Sequence, residues 1–511
     1  MRRKAPPPTS VTVQIVSKLT RNIAYNLGGQ LTLVAVSFVA ARYIFGGLGR
    51  DVLGLIYFAQ TLNAIIIAVV EVGIGATIVK EISASEHDRP YVELVVRSGA
   101  AFAWIAYAGF AIALVGAAPW IVDHWIALEH LDRATAISVL RILGASTLLT
   151  IPQVFYGSVF RGLQAMGPPN AVDVGALVVQ QLGTALLIST GHGIEAVAWW
   201  IAGTYVCRVA ILITMVAGIF SWRCIVPVVD ATAFRRSKRA AQYMLAISAL
   251  TIVHTQSDKL IITSTLPIAS IGIYGLLFSA VGRGGILSAA VAQGALPVFS
   301  TLAATGQREE LTRQYQRLQT LLCFGMVPFY ALIALGSRLL FGTIFGSETA
   351  ATLIAPAYLL ALGFYLNSTL SVPYFFTLAD NRPDLAMRFG LLALCVTLPV
   401  TFLLTWQLGF VGAGIAWIWY QVFVYVWFIP RACRACLGIG VTRAYRDVGE
   451  PLALAAATYG VAALLLHVFA LHSLAMFLVS YGVASLLFLA ATWWRIGPAL
   501  RGEAIRFVRA C

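Results

Sequence analysis

The chain is 511 residues long, 59% hydrophobic and only 11% charged, with a mean hydropathy of +0.84. A soluble domain carries about 25% charged residues, so the composition excludes a soluble enzyme or binding module and predicts a polytopic all-α integral membrane protein. The net charge of +14 would suggest a nucleic-acid partner in a soluble chain. Here the bias of Lys and Arg towards the cytoplasmic side of a membrane accounts for it, and no nucleic acid is expected.

The N-terminal "MRRKAPPPTS" is basic and then Pro-rich. It lacks the short apolar core and small-residue cleavage site of a signal peptide, so the first span is expected to act as an uncleaved anchor. Apolar segments long enough to cross the hydrocarbon as helix are predicted at fourteen places: 22–43, 53–78, 94–117, 134–159, 171–190, 194–219, 242–265, 270–293, 318–338, 351–376, 387–406, 410–430, 451–470 and 473–494. The outward connections then hold only Arg42, Arg50, Arg133 and Arg338 of the 35 Lys and Arg. That imbalance predicts that both termini are cytoplasmic.

An internal repeat runs at an offset of about 219 residues. Gly54-Leu55 answers Gly272-Ile273, Gly75-Ala76 answers Gly294-Ala295, and "AWW" at 198–200 answers "AWI" at 416–418. Each unit holds six spans, an even number. The copies therefore run parallel about an axis along the membrane normal, an arrangement that places the site between the halves. The expected organisation is an N-terminal lobe over 1–226, a C-terminal lobe over 227–432, and two additional spans with a tail over 433–511. The last two spans contain no Asp, Glu, Lys or Arg from Pro451 to Trp494 and are expected to pack outside a V-shaped pair of lobes. Pro152, Pro328, Pro356, Pro373 and Pro399 predict kinks. Cys433 and Cys436 form a lone CxxC without the further ligands zinc needs, so no metal or cofactor is expected.

Charges inside the membrane cost about 2.5–3.5 kcal/mol each on insertion scales and face a wet cavity or a partner. Four cations lie within spans: Arg141, Arg208, Lys259 and Arg283. Against them stand Glu71 and Asp258, a deep balance that favours an anionic substrate such as a diphosphate, which guanidinium forks hold bidentately. A substrate clamp of Arg141, Arg208, Lys259 and Arg283 is therefore expected. Arg97, Arg161, Asp173 and Glu195 lie at span ends and read as interfacial. In span seven, Ser248, Thr251, His254, Thr255, Asp258 and Lys259 share one arc of about 140°, a polar helix face rather than a loop. His254 and Asp258, one turn apart, together with Glu71 are the candidate ion-coupling groups.

Several stretches resemble the oligosaccharide-flippase (Wzx-like polysaccharide exporter) family of the multidrug/oligosaccharidyl-lipid/polysaccharide superfamily. They are "VEVGIGATIVKEIS" (70–83), "FRGLQAMGPPN" (160–170), "SDKLIITSTLPIASIGIYGLLFSAVGR" (257–283), "LPVFSTLAATGQREELTRQYQRL" (296–318) and "LFGTIFGSE" (340–348). The most specific part runs from Ser257 to Leu318, with an acid–base pair, a Gly-x-Tyr turn, a Pro closing span eight and a charged linker. The resemblance implies two six-helix lobes around a central cavity. It also implies translocation of a polyprenyl-diphosphate-linked oligosaccharide to the outer leaflet of a bacterial inner membrane for cell-surface polysaccharide synthesis. The partners it implies are that lipid-linked glycan, membrane lipids and other polysaccharide-assembly proteins. The uncharged stretch from Asn22 to Ala41 departs from the lipid II flippase branch, which has Arg and Asp in its first span. The alternative is a cation-coupled multidrug exporter of the same superfamily. A membrane glycan polymerase or ligase fits less well, since the outward loop from Ala118 to Arg133 is too short to carry a catalytic site.

Overall fold

The structure is a computed structural model that describes residues 36–70, 78–79, 81–82, 88–163, 165, 167–220, 226–228, 256–380, 382–469, 473–495 and 501. Every regular element among them is helical. The first half comprises α1 (Val36–Gly47), α2 (Arg50–Val70), α3 (Arg89–His124), α4 (Arg133–Thr147), α5 (Thr150–Gly162), α6 (Gly167–Ser189) and α7 (Ile194–Ile219). The second comprises α8 (256–265), α9 (Ile268–Ala304), α10 (Arg308–Thr369), α11 (Ser371–Ala379) and α12 (Pro383–Ala432). Then come α13 (Val441–Ala455), α14 (Val461–Val468) and α15 (Leu474–Arg495). Among the described residues, ten helices are long and apolar enough to cross a membrane.

Two of those ten are long enough to cross twice. The 62 residues of α10 would make about 90 Å of straight helix, some three times the roughly 30 Å hydrocarbon. The chain turns back at Gly346, with φ 81°, and α12 does the same at Gly409, with φ 57°. Positive φ is open to glycine at little cost, so these two residues make the hairpins between spans nine and ten and between eleven and twelve.

Proline explains two further breaks. Pro152 has no N–H for the carbonyl of Leu148, and the predicted fourth span divides into α4 and α5 at residues 148–149. Pro373 likewise frees the carbonyl of Thr369, where α10 ends and α11 begins. The freed oxygen is not left orphaned, because Gln319 Nε2 donates to it at 2.9 Å from the preceding span. Replacing Gln319 with Leu strands that buried carbonyl and is expected to cost about 1–3 kcal/mol. Adding Pro373→Ala restores a local N–H, so thermal unfolding of the double variant should recover towards wild type. A single variant as stable as wild type would remove this account.

Within each half the helices pack on one another, and α13–α15 lie against α10. Tyr481 donates to the Pro328 carbonyl at 3.1 Å, Phe488 packs on Phe324, and Tyr365 donates to the Val448 carbonyl at 3.3 Å. Cys433 and Cys436 are buried in the turn that leads to α13.

The halves meet along α2 and α9. A Cβ on Gly54 would collide with the Ile268 carbonyl, and one on Gly272 would sit 2.8 Å from the Gly54 nitrogen. These glycines are repeat-related, and they touch each other. The expected Gly-x-Tyr turn at 272–274 is in fact mid-helix: Gly272 is there because no side chain fits between the two backbones.

Candidate functional site

The helices of the two halves touch at one end, the one expected to face outward, while at the other end the linker residue Val228 donates its N–H to the Arg97 carbonyl at 3.3 Å. Beside the glycine crossing, Phe45 of α1 meets Phe345 of α10 with ring centroids 4.7 Å apart, and Phe38 meets Phe341 at 5.7 Å. The segment 125–132 bridges as well. Trp125 Nε1 donates to Thr263 Oγ1 at 3.1 Å, and the Ile268 N–H donates to the Ala127 carbonyl at 3.0 Å. Its far end is set by Asp132, which caps α4 by accepting from the Thr135 N–H at 2.9 Å; that bond holds its carboxyl below the usual range.

Beneath this seal lies a cavity of about 250 Å³ between the halves. The first half supplies Ser37 and Phe38 from α1, Tyr57 and Gln60 from α2, Gln181 from α6 and Tyr205 from α7. The second half supplies Ser279 and Arg283 from α9. Arg283 lies eleven residues beyond Gly272 on one helix, about 16 Å along the axis from the crossing. Among the described lining residues Arg283 is the charged group; the other polar groups are hydroxyls and amides.

The four predicted clamp cations are not gathered in one place. Arg283 lines the cavity. Arg208 lies one turn along α7 from Tyr205, buried, with its guanidinium 5.3 Å from the Tyr205 ring. Its Nη1 donates to Gln153 Oε1 at 3.3 Å, and Gln153 Nε2 donates to Asp173 Oδ1 at 2.7 Å. Arg208 Nε is buried without a hydrogen-bond partner. Asp173, expected at the interface, is instead a partly buried member of this chain of contacts.

Lys259 and Asp258 are both buried in the second half. Nζ of Lys259 lies 3.3 Å from Asp258 Oδ1 and 3.5 Å from the centroid of Phe278, while Tyr274 donates to Asp258 Oδ2 at 3.1 Å. The pair thus faces α9 rather than the cavity residues named above. Arg141 is exposed, its Nε donating to the Val115 carbonyl at 3.2 Å. Glu71 and His254 lie outside the described residues. Gln60, Gln181, Tyr57 and Tyr205 were not singled out in the sequence, because outside span seven charged groups alone were weighed. The two glutamines inside apolar spans were the available signal, since an amide in hydrocarbon also needs a partner.

A family model described as polysaccharide biosynthesis protein matches residues 19–303, more than half of the chain. Among solved structures, an inward-facing multidrug resistance MATE family transporter of the MOP superfamily aligns with a TM-score of 0.62 at 13% identity. It covers 79% of this chain and 95% of its own. The lipid II flippase MurJ in an inward closed conformation gives 0.60 at 12%, covering 91% and 98%. A MOP superfamily transporter from Pyrococcus furiosus gives 0.56 at 14%, covering 83% and 97%. No curated protein matches the chain significantly. At these identities the structural likeness establishes the fold.

Proposed function

Since this chain belongs to the family of polysaccharide biosynthesis proteins, whose membrane-transporter character its fold shares, we propose that it is a flippase for a polyprenyl-diphosphate-linked oligosaccharide. It moves the headgroup from the cytoplasmic to the periplasmic leaflet of a bacterial inner membrane by alternating access between lobes 1–226 and 227–432, without covalent chemistry. The observation that carries this reading is the cavity between the halves whose charged lining residue is Arg283, surrounded by Tyr57, Gln60, Gln181 and Tyr205. A guanidinium offers a rigid fork for phosphate oxygens. Amides and phenols suit sugar hydroxyls, and aromatic faces suit sugar rings. Arg208, with a buried N–H unpartnered beside Tyr205, is the second cation within reach. A volume of about 250 Å³ falls below the roughly 300–1,000 Å³ of pockets that enclose drug-sized ligands. In this sealed state the cavity therefore accepts the charged end of the headgroup and not a whole oligosaccharide. The alternative, a cation-coupled drug exporter, calls for a carboxylate in the cavity, and the described lining residues include none.

The charge imbalance at span ends supports cytoplasmic termini. Asp258, with Glu71 and His254, is the proposed coupling group, and its pairing with Lys259 gives it a partner whose protonation it would control. The test is reconstitution in proteoliposomes with a lipid-linked glycan, measuring the rate at which headgroups become accessible on the opposite leaflet. Wild type should translocate the glycan faster under an imposed proton or sodium gradient, and Asp258→Asn should lose that acceleration while keeping the basal rate. No translocation of any diphosphate-linked glycan, with uptake of organic cations instead, would replace this function by the exporter. Unchanged acceleration in Asp258→Asn would leave the Asp258–Lys259 pair a structural one.

A further inference from the structure

The transport cavity uses none of the groups on the segment 125–132, yet three metal-ligating side chains meet there. Asp51 in the first turn of α2, Glu129 and His130 each offer a ligand atom, all within 4.8 Å of one another. Asp51 is 3% exposed. Its Oδ2 accepts three backbone N–H groups, from Glu129 at 3.0 Å, His130 at 2.7 Å and Leu131 at 3.0 Å. Its Oδ1 is buried and has no hydrogen-bond partner. A buried carboxylate oxygen left without a partner is destabilising, and a second carboxylate close by adds repulsion. The nearest cations in sequence are turned elsewhere: Arg50 lies over the Phe45 ring and Arg133 pairs with Asp123.

We propose that Asp51, Glu129 and His130 form a binding site for a divalent transition-metal ion with the coordination chemistry of zinc, located at the outer seal and separate from the transport cavity. Two carboxylates and one imidazole suit zinc, with water completing the shell. Calcium seeks six to eight oxygens and magnesium a near-ideal octahedron, so neither fits this donor set. The three N–H bonds to Oδ2 orient the Asp51 carboxylate and leave Oδ1 for the ion, the role outer-shell donors play at metal sites. Glu129 and His130 are exposed, so the ion enters from the aqueous face. Once bound, it fastens the segment 125–132 to α2. Because the same segment bonds Thr263 and Ile268 of the other half, the ion stabilises the sealed state.

The probe is zinc chloride titrated into the full-length, chelator-treated protein in lipid nanodiscs, read by calorimetry and by melting temperature. Wild type should bind one zinc that is absent or weakened in both Glu129→Gln and His130→Gln. Loss of an outer-shell partner alone costs about 10–100-fold in metal affinity, so loss of a ligand should cost at least that. Zinc should raise the melting temperature of wild type and of neither variant. Both substituted side chains are exposed and the loop bonds use their backbone N–H groups, so the variants keep the fold. Unchanged affinity in both variants, loss of the zinc in Cys433→Ser instead, or equal competition by calcium would overturn the site.

Discussion

Replacing Arg283 with Ala should reduce translocation of the lipid-linked glycan by one to two decades at normal membrane abundance. The estimate follows from the loss of a charge-assisted hydrogen bond, worth about 1.5–3 kcal/mol, at about 1.4 kcal/mol per decade. Arg283→Lys should recover little of the loss if the contact is a bidentate fork, because an ammonium offers only a point charge. Arg208→Ala should show a smaller effect, since Arg208 already spends one donor on Gln153 and lies behind Tyr205 rather than among the lining residues. Arg141→Ala, on an exposed side chain bonded to the Val115 carbonyl, should leave transport intact. The measurement is headgroup accessibility in proteoliposomes, with abundance quantified alongside. Full transport by Arg283→Ala would detach this cation from the substrate.

The second large effect concerns the seal. Gly54→Val places a branched side chain where even a Cβ meets the Ile268 carbonyl. Overpacking of that kind costs about 1–3 kcal/mol, equivalent to about a 5–150-fold shift in a two-state equilibrium. The penalty falls on the sealed state alone, because the two backbones part when the outer side opens. Spin labels at Ala134→Cys and Glu348→Cys, both exposed and at the end expected to face outward, should report a longer distance between the halves in the Gly54→Val background. Transport should fall with it, because the cycle stalls with its outer face open. An unchanged distance distribution would show that the crossing does not limit closure. Gly272→Ala, which meets the Gly54 nitrogen and the Leu53 side chain, should give a weaker version of the same shift.

Much of this was legible in the chain. Composition gave the solvent. The missing N–H of Pro152 and Pro373 marked the helix breaks, though nothing in the sequence revealed that Gln319 would occupy the carbonyl freed at Thr369. The pairing of Gly54 with Gly272 was visible as a repeat, but a repeat shows equivalence and not contact; contact follows only because both residues lie near the symmetry axis. The clamp was read less well for a related reason. Helical periodicity places Lys259 at an angle about its own axis and says nothing of which neighbour lies in that direction. That neighbour proved to be Phe278 and Asp258 inside one half, whereas for Arg283 it was the space between halves. Asp51 drew no notice, because an acid at the start of a helix is ordinary until its second oxygen is found buried and alone.

A glycine-to-glycine crossing also bears on the energy supply of the membrane. A carrier that admits a hydrated headgroup to mid-membrane risks leaving a file of water through which protons leak and the potential collapses. Backbone packed directly on backbone leaves no side-chain gap for such a file. A gap of about 0.5–1 Å already forfeits a quarter to a half of the dispersion attraction, so even a small separation of Gly54 from Gly272 weakens the barrier. The barrier then sits at the level of these two residues, above the cavity between the halves. On the proposed function, a partly opened seal, tolerable in a solute channel, would here discharge whatever ion gradient the bilayer holds.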